Sequence, residues 1–287
     1  MEFSNPEIPE GINTTNEHSL KEFAILTGGI IGCVIIIVLI LAFLAEFLAP
    51  YIPFSMEREL AAKFIEKSEI ESDTQRYLQT LTDNISQQMD LPDDAQITLH
   101  YVDDDIENAF ASLGGHIYIH RGLMDIMPNE NALSMVIAHE IAHVQHRHPL
   151  IAMGRGVVIG LFLATITGMS GDRFVGGTIR NAGVITVLSF SRNQEREADH
   201  TALAAVQKYY GHVSGASDLF KALLKTEESS LIKTPQFLNT HPLSQERIDD
   251  LVDYAREQEW SLREAKTDFS HKLNKEKLDT EDIAELK

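Results

Sequence analysis

The sequence predicts an α+β fold that is mainly helical, with one transmembrane helix ahead of the folded domain. Residues 23–45 carry no charged side chain, which predicts the membrane helix. Residues 132–144 are apolar around most of a helix surface, which predicts a helix buried in a core. Residues 96–102 place an apolar side chain at every second position, which predicts a strand.

The uncharged run at residues 23–45 would form a helix of about 34 Å, enough to cross a hydrocarbon core of about 30 Å. A cleavable signal peptide is disfavoured because residues 1–22 are long and acidic rather than short and basic. Lipoprotein processing is disfavoured because the longest apolar run follows Cys33 instead of preceding it. We expect residues 23–49 to be a retained anchor and residues 1–22 to be a disordered tail.

The side of the membrane on which the domain lies is left open by the sequence. Lys21 precedes the anchor, whereas Arg58, Lys63 and Lys67 follow it, and this asymmetry favours the cytoplasm. These basic residues are mixed with glutamates, so the preference is small. Cys33 is the single cysteine, which excludes an intrachain disulfide.

Residues 54–256 are predicted to form one folded domain, followed by a charged tail or helix at residues 257–287. Helices are expected from apolar periodicity and end signals, at residues 55–89 (two helices, the second capped by Ser72 and Gln75), 185–210, 214–224 and 244–260. Residues 156–171 are uncharged but short for a membrane span. We favour a helix buried beneath the helix at 132–144; the alternative is a helix that dips into the membrane surface.

The net charge of the chain is −19, which argues against a nucleic-acid partner. Chemistry is concentrated instead in residues 139–143, which read His-Glu-Ile-Ala-His. Four residues along a helix bring both imidazoles to one face, where they can bind one Zn²⁺ with the glutamate beside them. Such a pentad also arises by chance. The apolar residues around it favour a metal, because a buried glutamate and two buried histidines need partners.

A catalytic zinc site needs a third protein ligand. The metzincin pattern is absent, because Pro149 stands where its third histidine would be and His146 stands in place of its glycine. Glu195 and Asp199 are four residues apart on a predicted helix and share a face, so Glu195 can ligate and Asp199 can accept a ligand's ring N–H. Glu197 points away and is the weaker candidate. The alternative is an ordinary charged helix face.

These motifs resemble the HtpX and CAAX-prenyl-protease clan of zinc metallopeptidases, the gluzincins. Beyond the pentad, residues 108–111 and 114–119 resemble the strand and hairpin before the catalytic helix of that clan. Residues 191–199 resemble its third-ligand signature, and residues 240–242 with Arg247 resemble its late motif. With a single anchor, the chain is most similar to the BepA-like and mitochondrial OMA-like branch.

The resemblance implies a gluzincin metallopeptidase domain that binds one Zn²⁺ per chain. His139, His143 and Glu195 would be the zinc ligands. Glu140 would act as general base and then as general acid, and Asp199 would orient His139.

The resemblance also implies a role for His241, either as a latch on the open zinc position or as a donor to the oxyanion. Without it, a lone loop histidine would be read as a surface residue. Arg247 is expected to form an anchoring ion pair near the site. His146 and His148 are expected on one continuous helix, either at the surface or supporting the metal ligands, and a second metal is not expected.

An exposed strand edge before the catalytic helix is expected to bind an extended peptide through main-chain hydrogen bonds. The residues concerned would be Asn108, Ala109, Phe110, Gly114 and Gly115. This mode depends little on side chains and suits unfolded or damaged polypeptides.

The resulting expectation is a membrane-anchored zinc endopeptidase in quality control of membrane or envelope proteins, in a bacterial inner membrane. Its partners would be polypeptide substrates and the lipid bilayer; the sequence leaves the oligomeric state open. One alternative is a latent or chaperone-like zinc protein whose site is capped by His241. Another is a membrane scaffold, which leaves the buried histidines and glutamates unexplained.

Overall fold

A computed structural model describes residues 19–63, 72–167, 190–229 and 235–269 of the chain, and it confirms the predicted fold class: mainly helical, with a three-stranded sheet and an apolar N-terminal helix. The helices are α1 (Ser19–Leu48), α2 (Phe54–Ala61), α3 (Asp73–Ser86), α4 (Arg121–Asp125), α5 (Glu130–Gln145), α6 (His148–Thr167), α7 (Arg192–Tyr210), α8 (Asp218–Ser229), α9 (Gln236–Thr240) and α10 (Gln245–Glu257). The strands are β1 (Thr98–Val102), β2 (Ala109–Ala111) and β3 (His116–His120).

The N-terminal helix α1 has the dimensions of a membrane span. Within the described ranges it is the one helix that is long and apolar enough, by length and composition, with a mean hydropathy of 3.0 over its best window. Its large apolar side chains are exposed rather than packed against the domain. The predicted tail at residues 1–22 lies outside the described residues up to residue 18.

The sheet has the strand order β1-β3-β2, with β1 parallel to β3 and β2 antiparallel to it. The hairpin implied by the family resemblance is therefore present. Its turn depends on Gly114 and Gly115, whose φ angles are 73° and 81°. A Cβ on Gly115 would lie 2.2 Å from the Gln96 carbonyl oxygen, so no larger residue fits there.

The outer edge of β1 is closed by two glutamine side chains of α3. Gln75 donates to Leu99 O at 2.6 Å and accepts from Tyr101 N at 2.7 Å, and Gln79 accepts from Leu99 N at 2.8 Å. The predicted capping box is therefore only half formed. Ser72 Oγ accepts from Gln75 N, but the Gln75 amide is committed to the strand. This leaves β2 as the edge that can accept another strand.

Helix α5 forms the centre of the domain and explains why the pentad is buried. Asn129 caps its start by accepting from Ala132 N at 2.9 Å, and every residue from 131 to 144 is buried. The helix packs against α7, α3, β2 and β3. A helix enclosed on all sides needs apolar side chains around its circumference, as the sequence shows.

The prediction that His146 and His148 follow on one continuous helix is wrong. The chain turns at Arg147, whose φ is 61°, and α6 begins at His148. Arg147 then ties this turn to the segment that follows α1: its guanidinium lies 2.9 Å from Glu57 Oε2 and donates to Ile52 O at 2.6 Å. Glu57 in turn accepts from Gly114 N at 2.9 Å.

Helix α6 does not lie beneath α5 as favoured from the sequence. It packs along α1, with Gly154 beside Ala45 and an ion pair of 2.6 Å between Arg155 and Glu46. Ile159 is 49% exposed. Residues 168–171 of the predicted segment lie outside the described residues.

Helix α7 begins at Arg192, with Ser191 and Gln194 forming a complete capping box. Residues 185–189 of the predicted helix lie outside the described residues. It ends at Gly211 as expected, with a φ of 77°. Helix α8 begins four residues later than predicted, after a turn at Gly215. Of the predicted tail, residues 258–269 are non-helical and are hydrogen-bonded to the start of α5.

Candidate metal centre

The two pentad histidines form the floor of the candidate site. Their Nε2 atoms lie 3.0 Å apart, and both side chains have zero exposure. The rings meet edge to face, and Phe190 stacks on His143 with centroids 4.0 Å apart. One helix turn of α5 has therefore aimed two ring nitrogens at one point, as the spacing predicts.

Helix α7 brings Glu195 to the same point. Its two carboxylate oxygens lie 3.5 Å from His139 Nε2 and 3.5 Å from His143 Nε2. Glu195 is buried at the first turn of α7, where the helix N-terminus favours a negative charge. Neighbouring cations outweigh burial and hold the pKa of Glu195 well below its usual range.

His241 completes the cluster from the residue that follows α9. Its Nδ1 lies 3.2 Å from His139 Nε2 and 3.2 Å from Glu195 Oε1, and its Nε2 lies 3.4 Å from Glu140 Oε1. The ring has zero exposure and stacks on Phe237 at 4.7 Å. It is thus a buried member of the cluster and not a surface residue.

Asp199 and Arg247 support the cluster from outside. Asp199 Oδ1 lies 3.0 Å from His139 Nδ1, the nitrogen that faces away from the cluster. Arg247 donates twice to Asp199, at 2.5 and 2.9 Å, and its Nη1 lies 2.7 Å from Glu195 Oε2. Against the effect of burial, Arg247 and His139 lower the pKa of Asp199. The predicted ion pair of Arg247 therefore has two carboxylate partners.

The residues present fit a metal ion. Ligand atoms of His139, His143, Glu195 and His241 all lie within 4.8 Å of one another. Both carboxylate oxygens of Glu140 are buried without a hydrogen-bond partner among the described residues, although unpaired buried polar atoms are costly. Imidazole nitrogens and carboxylate oxygens this close together are the ligand types of protein zinc sites.

The protonation of the cluster leads to a testable prediction for metal binding. Burial would lower the pKa of His139, but the carboxylates of Asp199 and Glu195 raise it to about 9. The pKa of His143 lies well below its usual range, chiefly because of burial. A ligating histidine must be neutral. At pH 7, His139 therefore carries the proton that a metal must displace.

We expect metal binding at pH 7 to release about one proton, and the affinity to rise roughly tenfold per pH unit until the pH approaches 9. Calorimetric titrations of the metal-free protein in two buffers of different ionisation enthalpy measure the released proton. Equal heats in both buffers would contradict a charged His139.

The contact of His148 with His143 is the feature of this region that the sequence did not predict. It is 2% exposed, and its Nδ1 lies 2.8 Å from His143 Nδ1. Its Nε2 faces Glu197 Oε2 at 3.5 Å. Burial and the adjacent His146 lower the pKa of His148 to about 3. The available signal was Pro149, because proline favours the first turn of a new helix over a helix interior.

The residues expected to bind substrate divide into two groups. Asn108 is buried and accepts from His120 N at 3.0 Å, while Ala109 and Phe110 belong to β2, the edge strand. That strand contacts α5 and α9, so it runs beside the cluster. Gly114 and Gly115 instead form the hairpin turn. A Cβ on Gly114 would meet α2 and His116, and a Cβ on Gly115 would meet the Gln96 backbone before β1, while the turn as a whole also contacts α5.

Comparison with known proteins matches residues 72–255 to Peptidase family M48. The chain is 31% identical over 168 residues to the beta-barrel assembly-enhancing protease of Yersinia pestis. The aligned region covers 55% of this chain and 34% of that protein. It is 31% identical over 167 residues to the mitochondrial metalloendopeptidase OMA1 of Schizosaccharomyces pombe (57% and 48%). It is 32% identical over 151 residues to the metalloprotease LoiP of Escherichia coli (51% and 58%).

The chain thus spans between about a third and three fifths of the length of these relatives. The matched region runs from the residue before α3 to the last turn of α10 and contains every residue of the cluster. The resemblance drawn from the motifs is confirmed: the chain belongs to peptidase family M48, whose members are metal-dependent.

Proposed function

We propose that this protein is a membrane-anchored zinc endopeptidase. The observation that carries the proposal is the convergence of His139, His143 and Glu195 next to Glu140, a buried carboxylate with no described hydrogen-bond partner. A purely structural zinc site has four protein ligands, with no open position and no need for such a carboxylate. Membership of a peptidase family supports the same reading.

Zinc is the metal that we assign to the site, with His139, His143 and Glu195 as its protein ligands. Two imidazoles and one glutamate are the donor set of catalytic zinc sites that keep one position open. A bound Zn²⁺ supplies Lewis-acid chemistry, since it acidifies a coordinated water to a pKa of about 7 and polarises a carbonyl. Asp199 accepts the Nδ1–H of His139 and so holds its Nε2 free for the metal.

Glu140 is the proton carrier of the proposed reaction. It follows the first ligand on α5, and its carboxylate is buried inside the cluster without a described hydrogen bond. In that position it takes the proton of the attacking water and returns it to the nitrogen of the leaving amine. The peptide bond is thereby broken and water is added across it. One carboxylate suffices because the proton that it gains is the one that it gives.

The substrate is proposed to bind along β2. Asn108 and Ser112 form the hydrogen-bonded pairs with β3, through His120 N and His116 O. Pairs alternate in an antiparallel ladder, so the main-chain groups of Ala109 and Ala111 point away from β3. These groups can bind an extended polypeptide strand, with little demand on its side chains. Unfolded membrane or envelope proteins fit this mode.

His241 is proposed to act as a latch. Its Nδ1 lies at 3.2 Å from atoms of two proposed ligands, as a fourth ligand would, while its Nε2 faces Glu140. A substrate carbonyl or a water needs that same position. The site described here is therefore the closed form, and activity requires His241 to move. This contact is also the observation that favours a latent or chaperone-like zinc protein.

The test is casein hydrolysis by the purified full chain in detergent, with the zinc content measured. Wild type should cleave slowly and lose activity with a chelator, whereas His241→Ala should cleave faster and bind a hydroxamate inhibitor more tightly. Each 1.4 kcal/mol by which His241 favours the closed form corresponds to about tenfold. A slower His241→Ala would assign the residue to the transition state instead. No cleavage by either protein, with zinc bound, would favour the latent zinc protein.

The setting is proposed to be the bacterial inner membrane, with α1 as a single span. The support is the length and composition of α1 and the names of the relatives, which concern β-barrel assembly and mitochondria. Quality control of membrane or envelope proteins is the role that fits both.

A further inference from the structure

We propose that His148 and Glu197 are positioning residues for His143, forming a histidine–carboxylate arm that orients this ligand and ends at the surface. The inference rests on the proposed function, because it assigns His143 to the metal. It concerns two residues that the proposed reaction does not use.

The geometry fixes the direction of the hydrogen bonds. If His143 Nε2 points at the metal position, the proton of its neutral ring is on Nδ1. That N–H has one close acceptor among the described residues, His148 Nδ1 at 2.8 Å. His148 must then carry its own proton on Nε2, which faces Glu197 Oε2 at 3.5 Å. One ligand assignment therefore sets the tautomers of both rings.

The two proposed histidine ligands are supported in different ways. His139 is held directly by the buried carboxylate of Asp199, which Arg247 neutralises. His143 is held by a neutral ring, and the carboxylate lies one residue further out. The Glu197 side chain is 53% exposed, against 1% for Asp199. A ligating histidine donates its second ring N–H in nearly all metal sites, so His143 needs such an acceptor.

The local fold serves this contact. Arg147 adopts a left-handed conformation, which ends α5 early and lets His148 turn back towards His143 as the first residue of α6. Phe190 covers the other face of the His143 ring at 4.0 Å. If His148 only filled space in the core, its Nδ1 would not need to face His143 Nδ1, the ring nitrogen of the ligand that does not point at the metal position.

The outer end of the arm opens on a cavity of about 460 Å³ between the end of α1 and the start of α7. Its lining includes Glu46, Pro50, His148, Ser191 and Glu197. His146 also contacts Glu197, at 3.3 Å, so this carboxylate links two rings. Asp199, by contrast, is buried behind Arg247.

The experiment compares zinc dissociation constants, by chelator competition, for wild type and four variants of the full chain. His148→Phe keeps a ring but removes the acceptor, and we expect about 10–100-fold weaker binding. His148→Asn places a carbonyl oxygen where Nδ1 stood and should restore most of the affinity. Glu197→Ala should lose less than His148→Phe. Arg196→Ala, an exposed neighbour on α7, should bind as wild type does.

Melting of the metal-free proteins separates positioning from packing. His148→Phe and His148→Asn should melt at similar temperatures while differing in zinc affinity. Wild-type affinity in His148→Phe, or equal losses in both His148 variants, would overturn the role of His148. Wild-type affinity in Glu197→Ala would remove Glu197 from the arm. A wild-type chain that binds no zinc would overturn the proposed function itself, which is a distinguishable result.

Discussion

Replacing Glu140 by glutamine is expected to leave zinc bound and to lower kcat for casein by about 10²–10⁴. Glutamine keeps the volume of the side chain in a fully buried position, so packing and the neighbouring histidines should persist. It cannot accept a proton in the reaction, however, and neither oxygen of Glu140 has a described hydrogen bond that the change would break. The measurements are kcat, KM and zinc content of the purified protein.

The matched control is Glu130→Gln, which makes the same chemical change on the same helix. Glu130 accepts from the hydroxyl groups of Tyr77 and Tyr210 at 2.6 and 2.8 Å, at the opposite end of α5 from His143. We expect this variant to keep its activity. Equal cleavage by wild type and Glu140→Gln would eliminate the proposed proton carrier, whatever the metal content.

Replacing Arg247 by methionine is expected to destabilise the metal-free domain by about 3–5 kcal/mol, because it leaves the buried carboxylates of Asp199 and Glu195 without their cationic partner. Arg247 is 9% exposed and is bound to Asp199 and Glu195, which are 1% and 3% exposed. Methionine retains apolar contact with Phe220, over which the guanidinium lies. The loss is therefore electrostatic. Urea unfolding in detergent, with a chelator present, measures it.

Arg256 provides the comparison on the same helix, α10. It pairs with Asp253 at 2.9 Å, but both side chains are about two-thirds exposed. Solvent screens such a pair, and Arg256→Met should change stability by no more than about 1 kcal/mol. Similar losses of unfolding free energy in the two variants would show that the buried ion pairs of Arg247 contribute no more to stability than an exposed pair does.

The parts of this molecule that the sequence predicts are those governed by local geometry. The pentad must present both histidines on one face because a helix repeats every 3.6 residues, and Glu195 and Asp199 share a face for the same reason. The hairpin at residues 114–119 is predicted only through the family resemblance, and the structure supplies the reason for its glycines, the close approach of backbone at Gly115. The anchor follows from the length of an uncharged run.

The parts that escaped prediction depend on distant partners or on one unusual torsion angle. His148 reaches His143 only because Arg147 takes a positive φ, which a non-glycine residue seldom does. The amides of Gln75 and Gln79 serve a strand about 20 residues away, and no local pattern encodes that pairing. The burial of His241 is decided by its contacts with His139 on α5 and Glu195 on α7, which are distant in the sequence.

The contacts of Arg147 with Ile52 and Glu57 determine where a soluble fragment of the domain should begin. The family match starts at residue 72, yet the guanidinium is satisfied by Ile52 and Glu57, upstream of that point. A truncation at residue 72 would leave the guanidinium of Arg147, which is 6% exposed and next to His148 in the sequence, without these partners. It would also remove Glu57, the acceptor of Gly114 N. The smallest self-sufficient piece therefore begins before Ile52, directly after the apolar helix α1.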